Sequence, residues 1–349
     1  MATPDQPQRV AVIGSPGAGK SWLSVRIGRK LGLPVHHLDL AFWQPGWVKT
    51  PHDDYVATQM RWIEGQRWVI DGNYTGTLHL RIPRADLIVW LDLPTWRCLW
   101  GISRRWWVDT ERPNTPEGCP DQFNWEFLHY TAVFRLTRNP VIREKLEEFD
   151  GRLVHLRSRR AVLKFLEDLP PGPGGERHHT LSDGTPVTIR PITSVDRPLF
   201  ERAIREVSEQ TLRDRFHASS FRPTSSTLDY LTNVDQISHL AVGAATADPD
   251  GSDHGIGVAR CIRRPGTNRA ELAVTVIDAF QGRGVGSALV DALEELALTR
   301  GIEIFEAIVD AERRTLLRML HRNGFHMVRC EDGIAELERR IEPNPTDRP

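Results

Sequence analysis

The chain has 349 residues, and 45 lysines plus arginines against 46 aspartates plus glutamates leave a formal charge of -1. That length exceeds the roughly 250 to 300 residues at which a single core stops growing, so two domains are expected. The near-neutral balance excludes a global basic field, so neither nucleic acid nor membrane is expected as a partner, and any phosphate binding must be local.

The opening residues MATPDQPQRV lack a basic segment followed by an apolar core, and no run reaches the ~20 apolar residues of a membrane span. A cytoplasmic location is expected. Cys98, Cys119, Cys261 and Cys330 are far apart and form no CxxC pair, which reads as free thiols rather than a zinc site or a disulfide framework. All 11 tryptophans fall between Trp22 and Trp125, which suggests two modules of separate character. The stretch PPGPGGERHHTLSDG, residues 170–184, is rich in the proline and glycine that interrupt helix and strand. We therefore expect a first domain over 1–169, a linker over 170–184, a second domain over 185–343 and a disordered tail over 344–349. The pair His178 and His179 has no further ligands at metal-binding spacing and reads as solvated loop.

In the first module QRVAVI predicts a strand, GSPGAGKS a glycine loop, and KSWLSVRIGRKLG a helix. Gly14, Gly19, Lys20 and Ser21 satisfy G-x-x-x-x-G-K-S/T in the strand, loop, helix context that a Walker A site requires. Amides of Gly14, Ser15, Gly17, Ala18 and Gly19 would converge on the β-phosphate of a bound ligand. Lys20 would reach the β/γ oxygens, and Ser21 would ligate Mg²⁺. Further strand candidates at 34–39, 67–73, 85–93 and 152–158 predict a doubly wound parallel α/β sheet. Asp39, Asp71 and Asp92 end three of them, where open α/β sheets bind ligands. Asp71 is the candidate that orients Mg²⁺ through water, Asp39 either orients an acceptor hydroxyl or forms a turn, and Asp92 reads as a turn residue. Arg97, Arg104, Arg105 and Arg112, followed by the loop PNTPEGCPDQ, suit either a closing lid that stabilises phosphoryl charge or a solvated helix face. Arg104 and Arg105 are the catalytic candidates among them.

These segments, with HHLDLAFWQPGW, WVIDGNYTGTL, ADLIVWLDLP and HLRSRRAVLKFL, resemble the adenylate-kinase-like P-loop proteins often labelled topology modulation proteins. The resemblance covers nearly all of residues 8–168 and implies a small-molecule kinase fold using ATP and Mg²⁺. Adenylate kinases continue D-G-F-P-R, whereas this chain continues Asp71-Gly72-Asn73-Tyr74. The arginine that grips AMP is absent there, so the phosphate acceptor is left open, with Trp43, Trp47, Asn73 and Tyr74 as candidates for its pocket.

The second module starts with the strand VTIRPI and two helical segments, then gives three closely spaced strands, SHLAVGAATA, GIGVARCIRR and RAELAVTVID. Short spacing and the turns Asp250-Gly251 and Pro265-Gly266 predict an antiparallel meander in an α+β domain. The turn QGRGVGSA then opens a helix. It misfits a dinucleotide fingerprint, because Ser287 takes the third glycine position, and it lacks the Lys-Ser/Thr of a Walker site. What remains is a helix N-terminus able to hold a pyrophosphate.

That arrangement resembles the GNAT acetyltransferases. The acetyl-CoA signature Q/R-x-x-G-x-G/A is met by Gln281, Gly284 and Gly286, HRNGF at 321–325 matches the end of the family's terminal helix, and the similarity spans about residues 185–340. The resemblance implies a mixed, mostly antiparallel sheet with helices on both faces. It implies acetyl-CoA pyrophosphate on Gln281, Gly282, Arg283, Gly284, Val285, Gly286 and Ser287, and backbone contacts from Val276 and Ile277. Glu271, in RAELAVTV, would take the proton from the acceptor amine; the other reading is an exposed strand charge. Leu320 stands where many relatives have an acidic tyrosine, which leaves the general acid open. The acceptor would be a small-molecule or protein amine. The alternative for the first module is a nucleotide sensor that regulates the acetyltransferase.

Overall fold

A computed structural model describes residues 6–107, 118–119, 125–172, 174–208, 224–312 and 314–342. The side chains of Arg105, Trp106 and Trp107, residues Arg112 and Phe123, the lid loop apart from Gly118 and Cys119, and the tail 344–349 lie outside the described residues. The chain divides into two compact units, Met1–Pro170 and Pro171–Pro349.

In the first unit the strands are β1 (Arg9–Gly14), β2 (Val35–His37), β3 (Trp43–Gln44), β4 (Val48–Lys49), β5 (Trp68–Asp71), β6 (Leu87–Leu91) and β7 (Arg152–Leu156). Five of them form a sheet in the order β2-β5-β1-β6-β7, every neighbour parallel. Parallel strands linked by helices are covered on both faces, which explains their unbroken apolar runs. Along β1, Val10 and Val12 enter one core with Leu23 and Ile27, while Ala11 and Ile13 enter another with Ile70 and Phe134. The strand order reverses beside β1, so the loop after β1 opens into the crevice at a topological switch point.

The second unit contains β8 (Arg177–Thr180), β9 (Pro186–Pro191), β10 (His239–Ala247), β11 (Asp253–Arg263), β12 (Arg269–Val276), β13 (Ile304–Asp310), β14 (His326–Glu331) and β15 (Ile334–Arg340). They form one sheet in the order β14-β15-β13-β12-β11-β10-β9-β8. Only β12 and β13 run parallel; the other neighbours are antiparallel. The Val285–Leu298 helix buries Leu289, Val290, Leu293 and Leu296 in this unit's core.

Two expectations need correction here. Residues 177–180 are not linker: they form edge strand β8, paired with β9 from Arg177↔Ile189 to Thr180↔Pro186. Asp92 is not merely a turn residue. It is 2% exposed and accepts hydrogen bonds from Arg135 Nε (2.9 Å), Asn139 Nδ2 (2.8 Å) and His155 Nε2 (3.1 Å), tying the end of β6 to two helices and β7.

Candidate functional site

The loop between β1 and the Lys20–Leu31 helix packs tightly onto its neighbours. Gly17 has φ 74°, and a Cβ there would lie 2.2 Å from the Cys98 carbonyl oxygen in the Thr95–Trp107 helix. Only glycine permits both the left-handed backbone and this approach. The same helix meets the loop again at Gly101, whose added Cβ would lie 2.6 Å from Gly17 O. Arg104 follows one turn later on that helix and is exposed. The helix at Lys20 starts with Gly19 as a left-handed N-cap and without a side-chain cap. Its first amides therefore have no intrahelical acceptor. Lys20 Nζ donates to Gly14 O (2.9 Å) and Ser15 O (3.1 Å), lying across the loop it would serve.

Asp71 sits at the end of β5, level with Val12 of β1 and His37 of β2. It is buried and bonds His37 Nδ1 at 2.7 Å. Burial alone would raise its pKa, but the charge and hydrogen bond of His37, with Ser21 and Lys20, hold the carboxyl below its usual range. His37 moves the other way: burial opposes protonation, and the Asp71 carboxylate more than offsets it. The residues present fit a Mg²⁺-nucleotide in donor chemistry, an ammonium, a hydroxyl and an ionised carboxylate around uncapped amides.

Asn73 has a different place from the acceptor pocket read from sequence. Its side-chain Oδ1 accepts from Gly14 N (2.8 Å) and its Nδ2 donates to Gly14 O (2.5 Å), so one amide clamps both polar groups of the first loop glycine. Behind it Arg81, fully buried, donates to Asn73 O (2.7 Å), Gly72 O (3.3 Å), Gln59 Oε1 (2.5 Å) and Thr77 Oγ1 (3.2 Å). Tyr74 donates to Asp39 Oδ1 (3.0 Å) and joins Phe42 and Tyr55 in an aromatic cluster, while Trp43 and Trp47 meet edge to face.

In the second unit the decisive feature is a fork. β12 and β13 pair only at Arg269↔Ile304, Ala270↔Phe305 and Glu271↔Glu306, so the strands part immediately after Glu271. Against β11, the bonds Arg264 N to Arg269 O and Ile277 N to Ile256 O fix the parity of the antiparallel ladder. Odd-numbered residues of β12 turn their peptide groups to β11; Leu272, Val274 and Val276 turn theirs into the gap left by β13. This corrects the reading of Ile277, whose amide is already committed to Ile256. Glu271, exposed, stands at the apex of the fork.

At the fork's other end lies QGRGVGS. Gly282 and Gly284 have φ 76° and 94°, and Gly284 is the left-handed N-cap of the Val285–Leu298 helix, which has no side-chain cap. Nothing lies within 4 Å of a Cβ built on Gly284, so the space before these amides is open. Gln281 Nε2 donates to Val276 O and Asp278 Oδ1, both at 3.1 Å, which ties the turn to the end of β12. The Ser287 hydroxyl is occupied, accepting from Asn323 Nδ2 at 3.1 Å. An open, uncapped helix N-terminus beside an unpaired strand edge fits the diphosphate and amide-rich arm of acetyl-CoA.

Residues 205–325 match the model of the acetyltransferase (GNAT) family. The C-terminal unit carries a GNAT acetyltransferase domain. The chain is 32% identical over 169 residues to Acetyltransferase Pat of Mycolicibacterium smegmatis, covering 45% of this chain and 46% of the relative. It thus spans about half the length of that protein. It is 26% identical over 162 residues to Acetyltransferase PA5475 of Pseudomonas aeruginosa, covering 46% of this chain and 87% of that one. Among solved structures, the GNAT domain of S. lividans PAT is 28% identical, with 48% of this chain and 97% of that chain covered and a TM-score of 0.44.

Within the GNAT domain, Leu320 is 2% exposed and offers no proton. His321 Nδ1 bonds the Phe325 carbonyl (3.0 Å), so that nitrogen acts as donor. The described cysteines of both units are free thiols, and no helix among the described residues is long and apolar enough to cross a membrane.

Sequence reasoning missed His37, Asn73 as a loop clamp, and Arg81. The first two stand in the quoted motifs HHLD and DGN, but their partners lie 34 and 59 residues away in the chain. No local periodicity reports such a pairing.

Proposed function

We propose that the protein is a cytoplasmic acetyl-CoA-dependent N-acetyltransferase that transfers acetyl to a small-molecule or protein amine. The observation that carries this reading is the fork between β12 and β13 with an open glycine turn at one end and Glu271 at its apex. Acetyl-CoA supplies the activated acyl group. The turn from Gln281 to Ser287 holds its diphosphate by backbone amides, and the gap-facing peptide groups of Leu272, Val274 and Val276 line its arm. An amide in the same strand edge can hydrogen-bond the thioester carbonyl as negative charge develops there. Glu271 takes the proton from the acceptor ammonium, whose reference pKa is about 10.4 for lysine, and so frees the neutral amine that attacks the thioester carbonyl. With Leu320 buried, water returns a proton to the departing thiolate. Glu271→Gln should lower kcat about 10²- to 10⁴-fold while leaving the acetyl-CoA KM nearly unchanged. Release of free CoA across an acceptor panel measures it, and an unaltered kcat rejects Glu271 as the base.

For the N-terminal unit we propose a Mg²⁺-ATP site of phosphotransferase type. Support comes from Lys20, Ser21 and the ionised Asp71 meeting beside the loop at the switch point of a parallel sheet. Ser21 would ligate the metal directly and Asp71 through water, with His37 orienting Asp71 as an outer partner. Arg104, on the helix that crosses the loop at Gly17, would approach the transferred group, and Asp39, held by Tyr74, would orient its acceptor. Lys20→Ala should abolish ATP turnover and weaken nucleotide binding in calorimetry. Unchanged binding and turnover would rule the site out.

A further inference from the structure

The segment that enters the C-terminal unit lies along the acetyl-CoA helix and is fixed to it at both ends. A Cβ on Gly174 would lie 2.8 Å from Leu296 Cα, so backbone rests on helix there. Arg177 makes a bidentate pair with Glu295 at 2.7 and 2.6 Å, one residue earlier on the helix. Strand β8 then runs to the β8–β9 turn, whose Ser182 hydroxyl donates to Arg283 O (3.3 Å) and whose Asp183 Oδ2 accepts from Arg283 Nη1 (3.0 Å). This strap precedes residues 205–325, which match the family model.

Arg283 is the sole cation in the glycine turn from Gln281 to Ser287. It stands between two left-handed glycines, with its guanidinium 4.8 Å from the Phe280 ring centroid. Asp183 is itself oriented: its Oδ1 accepts from the Thr185 amide at 3.0 Å. The Thr185 backbone and hydroxyl, with Arg283, hold its carboxyl below the usual range, so it is ionised at neutral pH. A fixed negative charge thus sits on the one cation available to a diphosphate in this turn. Building on the acetyl-CoA reading above, we infer that the β8–β9 turn belongs to the acetyl-CoA site and that Asp183 is a counter-ion that the diphosphate displaces from Arg283. Ser182 anchors the main chain of Arg283 while its side chain changes partner. The Asp183–Arg283 pair is about two-fifths exposed on each side, so the exchange involves a modest energy and both groups tolerate substitution.

Calorimetry on the full chain tests this, with acetyl-CoA and with acetyl-pantetheine, which lacks the diphosphate. Asp183→Asn should tighten acetyl-CoA binding about two- to fivefold, the range of an exposed charge pair. The gain should shrink in 0.5 M salt through screening, vanish for acetyl-pantetheine, and be absent in an Arg283→Ala background. Weaker or unchanged acetyl-CoA binding in Asp183→Asn would overturn the proposal, as would an equal gain with acetyl-pantetheine or without Arg283. If the wild-type chain bound no acetyl-CoA, the underlying acetyltransferase reading would fall instead, and the proposal with it.

Discussion

Single residues in the first unit show how one turn serves several partners. Asp71 reaches His37, Asn73 holds Gly14, and Tyr74 holds Asp39. The segment from Asp71 to Tyr74 thereby ties the loop at Gly14 to the carboxylates of Asp71 and Asp39 at once. Asn73→Ala removes two hydrogen bonds of about 1 kcal/mol each, enough for roughly tenfold or greater weakening of nucleotide binding. Asn73→Asp should weaken it further, because it loses the donor to Gly14 O and adds a negative charge near the phosphates. Titration calorimetry with Mg²⁺-ATP reads both, and affinity equal to wild type in Asn73→Ala would remove Asn73 from the positioning of the loop. Lys20 and Ser21 stood out as candidates in the sequence because the pattern they belong to is local. The histidine and the clamp did not, because each acts on a group in another strand or loop.

Elements contribute through where they end and where they stop pairing. β6 ends at a carboxylate that serves as a fastening point, Asp92, held by Arg135, Asn139 and His155. Burial would raise its pKa, yet the hydrogen bonds and charge of these partners hold it below the usual carboxylate range. A depressed folded-state pKa means stability that is present above the unfolded value of about 3.9 and is lost as pH falls through the folded one. Asp92→Asn should therefore cost about 1 to 3 kcal/mol at pH 7, and the gap to wild type should close as the pH falls below about 3.9. Urea unfolding across pH measures this, and a gap that stays constant down to pH 2 would contradict the linkage. At β12 the sequence reading placed the strand and its glutamate, but the parity of its peptide groups was invisible. Register against β11 decides that parity, and it excludes Ile277 while turning Leu272, Val274 and Val276 into the gap. The histidines of β8 looked like linker because proline and glycine precede them, whereas pairing with β9 makes an extended edge strand of the same polar residues.

The whole molecule has two units with separate cores, one built on a parallel sheet and one on a mixed sheet. Each carries its own glycine turn at a helix N-terminus, and the two differ in chemistry. The first brings an ammonium, a hydroxyl and a carboxylate to its turn, as a reacting phosphoryl group would require; the second offers amides and one arginine, which would suffice to hold a phosphate that does not react. The Lys20→Ala chain distinguishes the ways the units combine. Loss of ATP consumption with an unaltered acetyl-transfer rate is the result expected of two separate activities, while an acetyl-transfer rate that responds to ATP in wild type and not in Lys20→Ala would make the first unit a sensor. By itself the sequence determined the succession of strands and helices, both glycine turns and the candidate residues within them. Those features depend on backbone freedom, side-chain chemistry and periodicity over a few residues. Only the tertiary structure decided that Asp71 meets His37, that Asn73 clamps Gly14, that β12 and β13 part at Glu271, and that Asp183 holds Arg283. Such pairings depend on register and packing between segments tens of residues apart, which no local pattern encodes.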